Sequence, residues 1–482
     1  MVVAGSLATQ ATREGSGVGW KNEASHRSVE GRKAYGKSLR DATPRSSHGA
    51  WSPTPDRPDP VDLIEGQNDG RLKWLVPVRR GRMVESAFTF YRGAALIMAS
   101  DLSTTPSTGL TAQICGDAHL SNFGAYGSAE RELVFDVNDF DESLVGPWEW
   151  DLKRLATSFT IAGRHRGFND ADIAKITASS IEKYRTAMEH FAEGPTLDTW
   201  YAHLSIDKVA NFYRDEGKKK KAKRAGRLTK KARSKNSLHA LSKLAERVDG
   251  TYRIKSDPPV LVPLRDATHI ARAGELEEMA RRSFAAYRDS LRPDRRVLLD
   301  KFRPIDIALK VVGVGSVGTR CLIVLLEGRD EQDPLFLQIK EAGPSVLASF
   351  LRSHSYDNHG ERVVQGQRLM QASSDIFLGW SPSDDDRDYY WRQLRDWKAS
   401  FDVDDADEKG LQRYAQLCGW TLARSHARSG DPAAIDGYLG SSDTFDAAIT
   451  EFADRYADQN ESDYRAFADA IDRGDLEADL EN

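Results

Sequence analysis

The sequence predicts an α+β protein in which a small β-rich lobe joins a larger helical lobe. Helical periodicity dominates most of the 482 residues, and Leu152, Leu155 and Phe159, for example, recur on one helix face. The segment "IDIALKVVGVGSVGTRCLIVLLEG" instead contains two apolar runs on either side of a glycine-rich turn, which indicates two paired strands. Because the two periodicities occupy different parts of the chain, they predict separate helical and sheet regions.

Composition places the chain among ordinary globular proteins. Apolar residues make up 40% and charged residues 29%, and the formal net charge of −5 gives no general attraction to nucleic acid or membrane. Cys115, Cys321 and Cys418 are widely separated and odd in number, which argues against a disulfide framework. No stretch approaches the roughly 20 apolar residues that a membrane span needs. We therefore expect a cytoplasmic protein without a membrane span.

The pattern predicts four segments along the chain. Residues 1–60, which end in "WSPTPDRPDP", lack an apolar period and are expected to form a flexible leader. Residues 61–300 are assigned to the larger helical lobe, residues 301–380 to the small β-rich lobe, and residues 381–482 to helices that complete the larger lobe. Within the last segment, Leu411 and Cys418 lie on one predicted helix face.

The run "GKKKKAKRAGRLTKKARSK" gives residues 218–235 a strong local positive charge. Such a run is usually a solvated surface, and it lacks the interleaved aromatic residues that stack on nucleic-acid bases. A contact surface for an anionic partner, including RNA or DNA, is the alternative interpretation.

Two closely spaced loops carry the residue types that phosphoryl transfer needs. In "CGDAHLSNFG", Asp117 precedes Asn122 by five residues, the spacing of the base and the metal-binding Asn in a kinase catalytic loop. The next predicted strand ends in "VNDFDES", where Asp136, Asp139 and Asp141 are candidate Mg²⁺ ligands. The structural alternative is that these side chains only cap turns. Their pairing on two successive loops favours the catalytic interpretation.

His119 lies between these two residues, in the first loop. It is a candidate for contact with a phosphate group, and a hydrogen bond that supports the loop is an equal alternative.

The motif "GVGSVG" supplies Gly313, Gly315, Ser316 and Gly318 between two predicted strands. A dinucleotide or Walker site would need a helix after the glycines, whereas a strand follows here. Strand, glycine loop and strand is the arrangement that covers ATP phosphates in kinases, although a plain hairpin turn has the same pattern.

Lys340, in "LFLQIKEA", lies one strand later, where a kinase keeps the Lys that binds the phosphates. Glu361, on the following helix, is a candidate partner for Lys340, with Glu341 and Gln365 as competitors.

Taken together, "CGDAHLSNFG", "VNDFDES", "PWEWDLKRLATS", "GVGSVGTR", "LQIKEA", "RVVQGQRLMQ" and "LARSHARSGD" resemble the uncharacterised bacterial family known as domain of unknown function 2252. That family is similar to the protein-kinase-like fold, and to aminoglycoside phosphotransferases with the catalytic loop HGDxHxxN. Here Cys115 stands where the first His of that loop belongs.

The resemblance implies a role for each site residue. Asp117 would be the base, Asn122 a metal ligand, and Asp139 the metal carboxylate in preference to Asp136, with Asp141 as the second choice. ATP and Mg²⁺ would be the cofactors.

The order of the motifs differs from that of a kinase, because the glycine loop follows the catalytic loop. A circularly permuted kinase-like fold would explain this order, since the helix "TLARSHARSGD" normally leads into the catalytic loop.

We therefore expect an ATP- and Mg²⁺-dependent phosphotransferase that moves the γ-phosphoryl group to a hydroxyl of an unknown small-molecule or protein acceptor. Transfer of AMP on the same fold and a non-catalytic nucleotide-binding scaffold remain alternatives.

Overall fold

The computed structural model describes residues 28–207, 223, 226–227, 229–230, 232–267, 273–351, 356–382, 387–394 and 397–480. This part of the chain is a mixed α+β structure, as the sequence predicts. Its helices are α1 (Val29–Ser38), α2 (Pro60–Gly66), α3 (Val76–Val84), α4 (Ala87–Gly93), α5 (Ala95–Leu102), α6 (Trp148–His165), α7 (Asp170–Glu193), α8 (Thr196–Tyr201), α9 (Ser237–Leu244), α10 (Ala273–Ser290), α11 (Pro293–Leu299), α12 (His359–Met370), α13 (Glu408–Ala427), α14 (Pro432–Leu439) and α15 (Thr444–Asp472).

The strands form antiparallel sheets. They are β1 (Thr111–Ile114), β2 (Phe123–Gly127), β3 (Leu133–Val137), β4 (Leu144–Pro147), β5 (Leu204–Ser205), β6 (Ala245–Val248), β7 (Thr251–Ile254), β8 (Leu261–Pro263), β9 (Arg303–Lys310), β10 (Cys321–Glu327), β11 (Pro334–Ala342), β12 (Gly379–Pro382), β13 (Asp388–Gln393) and β14 (Ala399–Ser400). The largest sheet has the order β12-β13-β11-β10-β9-β8, and smaller sheets pair β1-β4, β14-β2-β3-β5 and β6-β7.

The six-stranded sheet is covered on both faces. Leu322 and Val324 of β10 pack with apolar side chains of α10, whereas Ile323 and Leu325 pack on the opposite face with side chains of α9. A strand that is buried on both faces reads as a continuous apolar run instead of an alternating one. The predicted hairpin around the glycine-rich segment is therefore confirmed as β9 and β10.

The sheet region extends beyond the predicted limits of residues 301–380. β8 and β13 lie outside those limits, and α10, which was assigned to the helical lobe, packs on the sheet. β8 has three residues and therefore gives no periodic signal, so the boundary could not be read from the pattern.

A second, larger core lies among α6, α7, α13 and α15. The faces predicted from periodicity are buried there, including Leu152 and Phe159 of α6 and Leu411 and Cys418 of α13. Of these helices, α6 and α13 pack against β1, which leads into the loop that carries Asp117. Among the helices of the described ranges, none is both long and apolar enough to cross a membrane.

Residues 28–60 do not form the flexible leader that the sequence predicts, while residues 1–27 lie outside the described part. Arg40 and Arg45 donate to main-chain carbonyls at the C-terminal end of α14. Trp51 is buried against Tyr456. Because glycine contacts and arginine hydrogen bonds make much of this interface, the segment shows no apolar period.

The predicted basic surface at residues 218–235 lies mostly outside the described residues. Of the described ones, Arg233 forms an ion pair with Asp207 at 2.9 Å, and Ala232 is buried. An anionic partner for this run stays a prediction.

The contact of α1 with α14 predicts a strong size limit at Gly36. A Cβ atom there would lie 1.8 Å from the main-chain oxygen of Ala434. We expect Gly36→Val to lower the free energy of unfolding by about 1–3 kcal/mol through overpacking. Gly66→Ala is the matched control, because a Cβ at Gly66 meets open space. Thermal unfolding and tryptic cleavage within residues 28–60 measure the effect; equal stability of the two variants would contradict the packed interface.

Candidate active site

The loop between β1 and β2 carries Asp117 and is held close to its neighbours. β1 pairs with β4, with Ile114 opposite Leu144. Gly116 follows with φ of 77°, a conformation that side chains rarely adopt. A Cβ at Gly116 would lie 2.5 Å from the main-chain oxygen of Glu142. Glycine is therefore required here, and it lets the loop lie directly against the next one.

The carboxylate of Asp151 fixes the same loop from the first turn of α6. It accepts hydrogen bonds from the main-chain N–H groups of Cys115 at 2.8 Å and Gly116 at 2.9 Å. The ring of His426, on α13, lies 3.3 Å from the same carboxylate. Asp151 is only 1% exposed, so these are buried hydrogen bonds that set the loop's position.

Asp117 faces the cavity as an ionised carboxylate. Its Oδ1 accepts a hydrogen bond of 2.6 Å from Nε of Arg154, whose Nη2 donates to the main-chain oxygen of Tyr91. Burial raises the pKa of Asp117, but the positive charges of Arg154 and its surroundings outweigh it, so that the pKa is lowered overall. The side chain keeps 21% of its surface exposed, which leaves it accessible to a substrate.

His119 is buried and neutral near pH 7. Burial, together with the charges of Arg154 and Arg92, lowers its pKa to about 3 despite the opposing effect of Asp117. Its Nε2 lies 3.7 Å from Oδ2 of Asp117, beyond hydrogen-bond distance. A general acid or base needs a pKa near the working pH, so this environment argues against such a role for His119. The predicted loop-supporting hydrogen bond is not formed among the described residues either, because Nδ1 is buried without a partner.

Asn122 is oriented so that its side-chain oxygen is free for a cation. Its Nδ2 donates to the main-chain oxygen of Asp117 at 2.7 Å, which leaves Oδ1 as the available ligand atom. The N–H of Asn138 donates to the main-chain oxygen of Asn122 at 2.8 Å. This bond ties the first loop to the end of β3, where the second group of carboxylates begins.

Asp136 is a structural residue. It is 1% exposed and accepts hydrogen bonds from Nη2 of Arg424 at 2.5 Å and from the N–H of Ala372 at 3.0 Å. These bonds connect β3 with α13 and with the segment after α12. Of the three carboxylates that the sequence left open, Asp136 is therefore the one that does not face the cavity.

Asp141 and Asp139 share the ammonium group of Lys340. Asp141 forms a close ion pair with Lys340 and accepts a hydrogen bond of 2.6 Å from the hydroxyl of Tyr390. Asp139 lies 3.7 Å from the same ammonium group, with 35% of its side chain exposed. Burial and the charge of Asp141 raise the pKa of Asp139. Of Asp136, Asp139 and Asp141, Asp139 is therefore the most available to bind an additional cation.

The predicted ion pair between Lys340 and Glu361 is not formed. Lys340 is bound to the two aspartates, and Glu361 lies in the first turn of α12 with its Oε1 3.4 Å from Nε2 of Gln365. The next residue, Arg362, faces the site and donates to the main-chain oxygen of Asp141 at 2.7 Å. Successive helical residues point in different directions, so Glu361 faces away when Arg362 faces inward.

The glycine loop, residues 313–318, lies over the loop that carries Asp139 and Asp141. Gly313 and Gly318 have positive φ values of 66° and 90°, and their main-chain oxygens accept bonds from Arg82 at 2.8 Å and from the N–H of Leu72 at 2.7 Å. The hydroxyl of Ser316 lies 3.5 Å from Oδ2 of Asp141. The side chain of Arg82 and the main chain of Leu72 therefore hold the two ends of the loop in place.

Two cavities meet beneath this loop. The first has a volume of about 570 Å³, and the residues predicted for the site that line it are Asp117, His119, Asn122, Asp139, Asp141, Gly313, Gly315 and Ser316. The second has a volume of about 550 Å³ and is lined by Lys340 and by apolar side chains that include Phe302 and Phe377. Both cavities include Asp139, Gly313 and Ser316. Gly318 and Glu361 line neither of them.

The donor set fits a cation that is held jointly with a ligand. Among the described residues, no three His, Cys, Asp or Glu side chains form a metal-binding group. Mg²⁺, however, usually takes one or two protein ligands and completes its shell with phosphate oxygens and water. Oδ1 of Asn122 and the carboxylate of Asp139 fit that arrangement.

Sequence reasoning did not assign roles to several residues that organise the site. Asp151 and Arg154 belong to "EWDLKRLATS", where charged residues occur within a helix that is buried on nearly all sides. Charged residues within a helix that is apolar on nearly all sides are the signal that could have identified them. Arg71, Arg79 and Arg92 also line the first cavity, and nothing in their local sequence distinguishes them from surface arginines.

A comparison with protein families identifies the group to which the chain belongs. The model of a family described as an uncharacterized protein conserved in bacteria (DUF2252) matches residues 71–470. The chain belongs to the DUF2252 family. This match confirms the family resemblance inferred from the motifs, and it includes both loops of the candidate site. No curated protein and no solved structure matches this DUF2252 chain.

The hydrogen bonds of Asp151 predict that its loss destabilises the whole DUF2252 fold. Asp151→Ala leaves two buried N–H groups without an acceptor, and we expect the free energy of unfolding to fall by about 2–5 kcal/mol. Asp151→Asn keeps one acceptor and should lose less. The exposed Asp56 provides the control variant Asp56→Ala, which we expect to unfold like the wild type. Urea denaturation measures the difference, and a wild-type midpoint for Asp151→Ala would contradict the assigned role.

Proposed function

We propose that the protein is an ATP- and Mg²⁺-dependent phosphotransferase with a circularly permuted kinase-like fold. The observation that carries this proposal is the meeting of two cavities at Asp139, beneath a glycine loop and next to the ammonium group of Lys340. One cavity has apolar and aromatic side chains suited to a nucleobase among its charged and polar lining residues, and the other contains Asp117. A phosphate chain that runs between them would pass these groups in the order that phosphoryl transfer needs.

The position of α13 supports the permutation. The segment that follows this helix contacts β1, because Oγ of Ser429 accepts a hydrogen bond of 2.9 Å from the N–H of Gln113. The helix that would lead into the catalytic loop in an unpermuted chain thus ends beside the strand that precedes this loop. The sequence β9, β10, β11, α12 matches the order of the glycine loop, the lysine strand and the next helix in kinases.

In the proposed reaction, Asp117 orients the acceptor hydroxyl and receives its proton. The hydroxyl oxygen forms a bond with the γ-phosphorus, while the bond from that phosphorus to the bridging oxygen breaks and leaves ADP. Arg154 keeps Asp117 ionised and fixes its direction. Lys340 and the N–H groups of the glycine loop bind phosphate oxygens, and Asn122 and Asp139 would hold Mg²⁺, which neutralises phosphate charge when bound.

The metal-dependent nucleotide site is tested through Asp139. We expect calorimetric titration of the wild type with ATP to show binding in the presence of Mg²⁺ and none after addition of EDTA. Asp139→Ala should lose this Mg²⁺-dependent binding, because it removes the carboxylate that would bind the metal ion. Asp56→Ala is the control for loss of a carboxylate elsewhere. Absence of binding to folded wild type at millimolar ATP would overturn the proposal.

The reaction itself is tested through Asp117. Asp117→Asn preserves an acceptor for Arg154 but not a proton acceptor, so we expect unchanged Mg-ATP binding and turnover lowered by about 10²–10⁴-fold. Phosphorus NMR of the products, from slow hydrolysis or from a screen of hydroxyl compounds, identifies the bond that breaks. ADP supports γ-phosphoryl transfer, whereas AMP with pyrophosphate would indicate nucleotidyl transfer. Binding without any turnover would indicate a non-catalytic protein.

A further inference from the structure

Three arginines line the first cavity, on the side where Asp117 lies. They are Arg71, Arg79 and Arg92, and none of them lines the second cavity. Arg79 is 0% exposed, and Arg71 and Arg92 are partly buried. The cavity wall beside the acceptor position therefore carries three guanidinium groups that the proposed phosphoryl transfer does not use.

These guanidinium groups have no carboxylate partner among the described residues. Arg71 donates to the main-chain oxygens of Gln67 at 3.1 Å and Val317 at 2.5 Å. Arg79 donates to neutral oxygens of Ile64, Asn68 and Gln67, and its Nε is buried without a partner. The Nε of Arg92 is also buried without a partner.

Four of the five carboxylates that line the cavity have other partners, and the fifth, Asp139, is the proposed metal ligand. Asp117 is paired with Arg154, Asp141 with Lys340, and Glu341 with Arg320 and Arg387. Glu142, whose charge also acts on Arg71, accepts the N–H of Val346 at 2.7 Å.

Arg80, adjacent to Arg79, does not line the cavity and has an ion pair with Glu65.

Buried like charges without a direct ion pair are costly for the empty protein. Arg71 lies close enough to Arg79 for its charge to oppose that of Arg79, and burial adds to this cost. Such an arrangement is compensated when an anion binds, and guanidinium groups match the geometry of phosphate oxygens with paired N–H donors. A dianionic phosphate balances this concentration of positive charge better than a single carboxylate does.

We propose that the acceptor is a small phosphorylated hydroxyl compound whose existing phosphate group binds Arg71 and Arg92, with Arg79 behind them. This inference rests on the proposed phosphotransferase function and names the class of its acceptor. A cavity of about 570 Å³ has the size of a small-molecule site. In the proposed function the nucleotide's own phosphates would bind beside Lys340 and Asp139, which would leave the three arginines for the second substrate.

The test uses inorganic phosphate as the probe of the anion subsite. It is titrated calorimetrically into the full-length protein, alone and in the presence of saturating Mg²⁺ and a non-hydrolysable ATP analogue. Arg92→Met preserves the apolar stem and removes the charge, and we expect phosphate to bind at least about tenfold more weakly. Arg455→Met removes an exposed arginine that pairs with Glu451 and serves as the matched control. We expect Arg92→Met to unfold at or above the wild-type temperature, because it removes a partly buried charge that has no direct ion pair.

The outcomes separate this proposal from the phosphotransferase assignment. Phosphate binding that is lost in Arg92→Met, kept in Arg455→Met and undiminished by the ATP analogue supports an acceptor phosphate site. Competition between phosphate and the analogue, with weaker analogue binding in Arg92→Met, would assign the arginines to the nucleotide and overturn the proposal. Phosphate binding that is absent, or equal in both variants, would also overturn it. If the analogue alone fails to bind, the phosphotransferase assignment fails even though an anion site exists.

Discussion

The position of the loop that carries Asp117 depends on the carboxylate of Asp151. This side chain binds the main-chain N–H groups of Cys115 and Gly116 and thereby joins the start of α6 to the loop that carries Asp117. The same helix supplies Arg154, which contacts Asp117 directly. A helix that is buried along nearly its whole length is a rigid support, so the loop inherits the rigidity of the larger core.

Electrostatic pairing distinguishes residues that maintain the fold from residues that are available to a ligand. Asp136 and Asp151 are buried and use their oxygens for internal hydrogen bonds. Asp139 is more exposed, and its nearest cation, Lys340, is bound more closely by Asp141. A buried ionic group is costly unless it is paired. A bound ligand therefore stabilises the incompletely paired groups more than the groups that already have partners.

Sequence reasoning located the β9–β10 hairpin, two of the core helices and the two loops of the candidate site. Periodicity records which face of an element is buried, and the faces predicted for α6 and α13 are confirmed. The two loops were found because their polar residues are closely spaced in the chain. Some residues owe their role to a contact with a residue far away in the sequence, as Arg424 does with Asp136. Such a contact leaves no pattern in the sequence around either residue. For the same reason, neither the packing of α1 on α14 nor the failure of Glu361 to reach Lys340 was predictable.

The proposed permutation requires little from the physics of the fold. The stability of a site depends on which side chains meet in space, whereas chain order affects only the connections. Here the end of α13 lies beside β1, so the two would be neighbours with or without a direct peptide link. Moving the chain ends leaves the hydrogen bonds of Asp151 and the pairing of β9 with β10 unchanged. A chain in which the proposed catalytic loop precedes the glycine loop can therefore form the same three-dimensional site as a chain with the opposite order.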